Sequence, residues 1–171
     1  MRNFLKVDFF DNLETKTVMK TLKFTLVALL LALVSTVGAS AQSNKTKKVG
    51  DIVSEKGVKC VVVDCDKSGN HGLLMTIEAA ECNWGEALNW CGKVGAQWRL
   101  PELTEMMAVY MNLEEVNESL EKAGYKPLVR TWYWVAEVEK KGFAWAVNMV
   151  DLSANYAAVS KPLQVRAVTA F

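Results

Sequence analysis

The sequence predicts one α+β domain, with short strands at both ends and two to three helices between them. Three observations carry this expectation. A β-branched run, Val58-Lys59-Cys60-Val61-Val62-Val63, reads as a strand near the start of the domain. Apolar residues then recur at helical spacing between Trp84 and Met111. Finally, Phe143, Trp145, Val147 and Met149 alternate with Ala144, Ala146, Asn148 and Val150, the period-two pattern of a strand.

The elements follow in order. Asp51-Ile52-Val53 forms a first strand, separated from the Val58 run by Gly57, and Asp64 to Asn70 is a loop rich in turn formers. His71 to Ile77 reads as a further strand. Asn83 with Glu86 makes a capping box, after which Trp84, Ala87, Leu88 and Cys91 share one inward face until Gly92 and Gly95 stop the helix. A second helix has Pro101 at its first position and packs Leu103, Met106, Met107, Tyr110 and Met111 inward. Asn112 with Glu115 caps a third helix carrying Leu113, Val116 and Leu120, ended by Gly124. Trp132 to Val138 pairs with the Phe143 strand through the turn Glu139-Lys140-Lys141-Gly142, and Tyr156–Val159 and Leu163–Val168 complete the strands.

The working domain is shorter than the 171-residue chain. Met19-Lys20-Thr21-Leu22-Lys23, the apolar run Phe24 to Gly38 and the exit Ala39-Ser40-Ala41 have the form of a secretory signal peptide. This places the translation start at Met19 and reads residues 1–18 as an upstream segment, 19–41 as the signal, 42–48 as a flexible leader and 49–171 as the domain. The competing anchor needs a span of about 30 Å, whereas 15 residues rise only about 22 Å. A lipid anchor requires a cysteine at the junction, and the first is Cys60. The expected product is exported to the periplasm or cell exterior, with no stable membrane insertion after cleavage.

Removing residues 1–41 changes the net charge from +1 to −1, with 15 basic against 16 acidic side chains. A near-neutral surface excludes binding driven by the charge of nucleic acid or anionic lipid. Cys60, Cys65, Cys82 and Cys91 are disulfide candidates in an exported chain, and three pairings are open; buried thiols are the alternative. Their spacings and the single His71 do not form a zinc motif, and no metal site is expected. No phosphate loop, nucleophile elbow or dinucleotide fingerprint occurs, so neither a cofactor nor catalysis is expected.

Several segments occur together in a fixed order: Asn70-His71-Gly72-Leu73, Trp84 to Cys91, Trp98-Arg99-Leu100-Pro101 with Glu105, Trp132-Tyr133-Trp134, Ala144 to Asn148, and Val165-Arg166-Ala167-Val168. In this order residues 49–171 resemble the Lcl C-terminal domain-like family, a bacterial exported group largely of unknown function whose fold is similar to that of C-type lectins. The resemblance implies a C-type-lectin-like single domain and an exported recognition or adhesion module whose ligand is a glycan or a surface protein. The chain departs from the family pattern at Glu102, where threonine is usual, and at Trp134-Val135-Ala136-Glu137, where serines are usual. The calcium ligands of sugar-binding lectins would flank a proline and end in an acid-amide pair; here Pro127 and Pro162 lie between lysine and leucine, and Met149 follows Asn148.

Trp98, Arg99, Pro101, Trp145 and Arg166 are read as structural parts of these motifs. The guanidinium groups tie loops to a carboxylate such as Glu105 or to backbone carbonyls, with ligand contact as the alternative. Six tryptophans exceed the needs of one modest core, so Trp132, Trp134, Arg130 and Tyr156 are the candidate ligand-binding residues. Two other readings stand beside recognition: a structural subunit of a cell-envelope assembly, and a hydrolase-like enzyme using Glu137 or Glu139 with Arg130.

Overall fold

Four consecutive residues, Cys60 to Val63, are fully buried. An apolar run without alternation is what a strand shows when both of its faces are covered. The computed structural model describes residues 46–171, so the expected upstream segment, the expected export signal and the first four residues of the expected leader lie outside the described residues.

The strands are β1 (Ile52–Glu55), β2 (Val58–Cys65), β3 (Gly72–Thr76), β4 (Ala80–Cys82), β5 (Trp132–Lys140), β6 (Phe143–Asn148), β7 (Ala154–Ala158), β8 (Leu163–Val165) and β9 (Val168–Ala170). Between β4 and β5 lie α1 (Trp84–Val94), α2 (Leu103–Met111) and α3 (Leu113–Lys122). The described chain is thus mixed α+β, with three helices and two sheets. One sheet runs β1-β2-β3-β9 and the other β4-β8-β5-β6-β7, antiparallel throughout except for β5 beside β8.

Two apolar clusters fill the unit. Val61 and Val63 of β2 join Leu73 and Met75 of β3, Met106 and Val109 of α2, and Leu113, Val116 and Leu120 of α3. Cys60, Val62 and Leu74 point the other way, to Ala87 and Cys91 of α1, Trp98, Trp134 and the small residues Ala144 and Ala146 of β6. Hence the middle of β2 is apolar at every position, and β6 alternates large with small because each side meets a different neighbour.

Local chemistry sets the turns. Lys56 and Gly57 both adopt positive φ, 48° and 85°, the twist a two-residue hairpin demands between β1 and β2. Lys47 donates its amide to the Gly69 carbonyl at 3.0 Å, and a Cβ on Gly69 would sit 2.4 Å from the Lys47 oxygen. Lys47 and Lys48, assigned to a flexible leader, are therefore tied into the domain, because glycine permits the close approach. The α1 capping box forms as expected: Glu86 N–H donates to Asn83 at 2.9 Å and Asn83 N–H to Glu86 at 3.3 Å. Asn83→Ala is expected to cost about 1 kcal/mol in urea unfolding.

Several local expectations change. Gly92 does not end α1, which runs to Val94. Leu88, Met107 and Met111 are exposed, the last at 77%, because α1 and α2 bury narrower stripes than the periodicity suggests. Pro101 lies outside α2, whose N-cap is Glu102 and whose first residue is Leu103. The Asn112 side chain donates to the Val63 carbonyl at 3.0 Å instead of capping α3, meeting β2 where its pairing register slips. Leu163–Val168 is two strands in different sheets, and Arg166 lies at the break between them.

The four cysteines stand as free thiols, with no bridge among them. Cys60 and Cys65 are separated along one strand by about 17 Å, beyond disulfide reach. Burial pushes the Cys60 and Cys91 thiols each up to about 11, which makes both weak nucleophiles.

Candidate functional site

The Trp98-Arg99-Leu100-Pro101 segment is structural. Trp98 and Leu100 are buried in the second cluster, and the Pro101 carbonyl accepts the Ala136 amide at 2.9 Å. Arg99 pairs through its backbone with Val168 and grips Glu105 with two 2.7 Å bonds, while donating to the Leu100 carbonyl at 3.1 Å. Burial alone would raise the Glu105 carboxyl, but the Arg99 hydrogen bond, the Glu102 amide and the Arg99 charge outweigh it and hold the group below its ordinary range. A depressed folded value means this contribution is complete above the ordinary value of 4.5 and is lost as pH falls through the folded value. Wild type should therefore lose more stability than Glu105→Gln between about pH 6 and about pH 3, read from urea midpoints. Equal losses would remove Glu105 as an acid-sensitive tie.

Period two and strand register together build an exposed aromatic group. Trp145 lies directly opposite Tyr156 in the β6–β7 ladder, so the two share a face, and Phe143 lies two residues before Trp145 on that face. The Tyr156 ring meets Phe143 at 5.8 Å and Trp145 at 6.0 Å between centroids, edge-on in both cases. The helices cover this face near Val147 and Met149, whereas Phe143 and Trp145 are half-buried and Tyr156 is 45% exposed on an edge strand. The Lys140 amine lies 5.1 Å from both the Phe143 and Tyr156 centroids. At the same rim the Trp145 indole donates to the Glu139 carboxylate at 3.0 Å. The result is an apolar platform bordered by a cation and a carboxylate.

The four candidate ligand-binding residues do not converge. Tyr156 belongs to the platform. Trp132 and Trp134 share a face, as the alternation requires, but it is the face of the second core cluster. Trp134 is 0% exposed and its indole donates to the Cys82 carbonyl at 3.0 Å, so it is a core residue and cannot serve as a contact surface. Trp132 is half-buried against the same cluster. Arg130 is exposed and pairs with Glu114 of α3.

The sequence alone marks Trp145 as structural and assigns no site role to Phe143 or Lys140. The signal for Phe143 and Trp145 was present in the β6 alternation, but their meeting with Tyr156 depends on the β6–β7 register. The hydrolase-like set is likewise dispersed: Glu137 accepts the Leu103 amide at 2.8 Å, Glu139 holds Trp145, and Arg130 holds Glu114. Arg166 bonds only carbonyls: Thr76 at 2.9 Å, Ile77, Lys126 at 3.2 Å and Pro127 at 3.5 Å. Asn148 uses its side-chain oxygen on the Val150 amide at 3.1 Å. No helix among the described residues is long and apolar enough to cross a membrane. No family model matches the chain, and no curated protein matches it.

Proposed function

We propose that this chain is an exported, non-catalytic recognition module that binds a glycan by stacking a sugar ring on the Phe143–Trp145–Tyr156 platform. The observation that carries the proposal is that platform: three aromatics at the open end of one sheet face, bordered by Lys140 and Glu139. The C–H face of a pyranose packs on aromatic rings, and its hydroxyls need polar partners at the rim. Kinship to the Lcl C-terminal domain-like family and a C-type-lectin-like fold are part of the same proposal. Their support is the motif order, the central helices and the placement of the N-terminal β1 and C-terminal β9 in one sheet. The signal-like residues 19–41 support export, to the periplasm or beyond.

Tyr156 protrudes most and belongs to neither core cluster. Calorimetry against a glycan that binds the wild type is expected to show at least about a tenfold weaker Kd for Tyr156→Ala, with an unchanged melting midpoint. Equal affinity would move the site away from the platform.

A second reading, a subunit of an envelope assembly, rests on one observation. Met107 and Met111 lie one turn apart on the open side of α2, and the Tyr110 hydroxyl donates to the carbonyl of exposed Val150 at 3.2 Å. This apolar strip fits a protein partner. Loss of a co-purifying partner in a Met107→Lys, Met111→Lys double variant, with glycan binding retained, would assign the strip that role.

A further inference from the structure

Arg166 is 3% exposed, and a buried guanidinium is stable only when its charge and its donors are satisfied. Four backbone carbonyls hold its two terminal nitrogens, from Thr76 and Ile77 on one side and Lys126 and Pro127 on the other. The Nε–H has no partner. No carboxylate forms a salt bridge with Arg166 among the described residues, whose salt bridges are Arg99–Glu105, Lys122–Glu118 and Arg130–Glu114. Carbonyl dipoles accept hydrogen bonds without cancelling a unit charge, and burial pulls the guanidinium below its ordinary value against the opposing effect of Tyr133 and the Glu78 carboxylate.

The same side chain lines a cleft of about 370 Å³ formed with Tyr125, Lys126, Pro127, Tyr133, Gln164 and Glu78. Lys126 adds a second cation at the wall, and the Lys59 amine donates to the Tyr125 hydroxyl at 3.2 Å. Glu78 is the single acid of the lining, and it is exposed. Tyr133 turns the opposite way from Trp132 and Trp134, so this cleft opens away from the face those tryptophans line.

We propose that this cleft binds the carboxylate of a small acidic ligand, with Arg166 as the anchoring cation. The Nε–H is closed to solvent, so a carboxylate entering the cleft first replaces the weak 3.5 Å Pro127 contact on Nη2 and, as that loop yields, takes the unpartnered Nε–H as well, completing the side-on bidentate fork. Nη1 stays fixed on Thr76 and Ile77, so the fork is held in place before the ligand arrives. Tyr125 and Pro127 offer an apolar wall to the body of the ligand, whereas the Gln164 amide nitrogen donates to Glu81 at 2.8 Å. Two sources present this chemistry at suitable size: a uronic acid and the C-terminal carboxylate of a peptide. The site is separate from the aromatic platform and does not depend on it.

The test titrates the full chain, by nuclear magnetic resonance, with sodium acetate, sodium glucuronate and trialanine. Glucose and trialanine amide serve as neutral counterparts. Saturable binding is expected for the carboxylates with Kd in the millimolar range or tighter, at least about tenfold weaker for the neutral forms. The Arg166 Nε–H resonance should move as the new hydrogen bond forms. Tighter binding of glucuronate than of trialanine assigns a uronic acid, and the reverse assigns a peptide terminus.

Because Arg166 variants risk unfolding, the second arm is Lys126→Glu, an exposed charge reversal. It is expected to weaken carboxylate binding about tenfold at low salt. Neutral forms binding equally well, an unmoved Nε–H resonance, or unchanged affinity in Lys126→Glu would each overturn the proposal and leave Arg166 as a loop clamp alone.

Discussion

Trp134→Ala is expected to lower the stability of the domain by about 3–5 kcal/mol. The indole is wholly buried, packs among Cys60, Leu74, Trp98 and the small residues of β6, and donates to the Cys82 carbonyl at 3.0 Å. Truncation removes a large apolar surface, leaves a void that neighbouring alanines cannot fill, and strips a carbonyl of its donor. Because the bond joins β5 to the end of β4, the loss also loosens the entry to α1. A urea midpoint far below wild type with an unchanged slope is the expected result, and the folded fraction should keep wild-type glycan affinity. A drop below about 1 kcal/mol would mean that Trp134 is not the core residue its burial indicates.

Arg166→Met is expected to cost a similar amount, about 3–5 kcal/mol, for a different reason. Methionine fills much of the volume but donates nothing. The Thr76, Ile77, Lys126 and Pro127 carbonyls then lose a charged donor that draws β3, the loop before β5 and the β8–β9 break together. Hydrogen exchange should rise first in the loop around Pro127, where the contacts are longest. A variant as stable as wild type would show that the guanidinium is not needed as a clamp.

The mixed α+β class and most elements were legible in the residues because their signals are local. The Asn83–Glu86 box, the β-branched run of β2 and the alternation of β6 each announce an element within a few positions. Arg99 and Glu105 were legible as a pair because six residues place them across one loop–helix junction. What failed depends on distant chain. The burial of Trp134 is set by α1 and Trp98, and the break at Arg166 by the separation of β8 and β9 into two sheets. Asn112 was drawn from its cap by a carbonyl 49 residues earlier in sequence. The platform was half legible: Tyr156 was singled out, whereas its partners required the β6–β7 register. Met107 and Met111 were expected inside because methionine at core spacing usually is, yet α2 turns that side to solvent.

The most direct test of glycan recognition is a broad glycan array probed with residues 42–171, wild type beside Trp145→Ala and Tyr156→Ala. The expected result is a defined set of glycans bound by wild type and lost in both variants, each of which remains folded by circular dichroism. No glycan bound by wild type, or the same set bound by all three proteins, would contradict recognition through the platform.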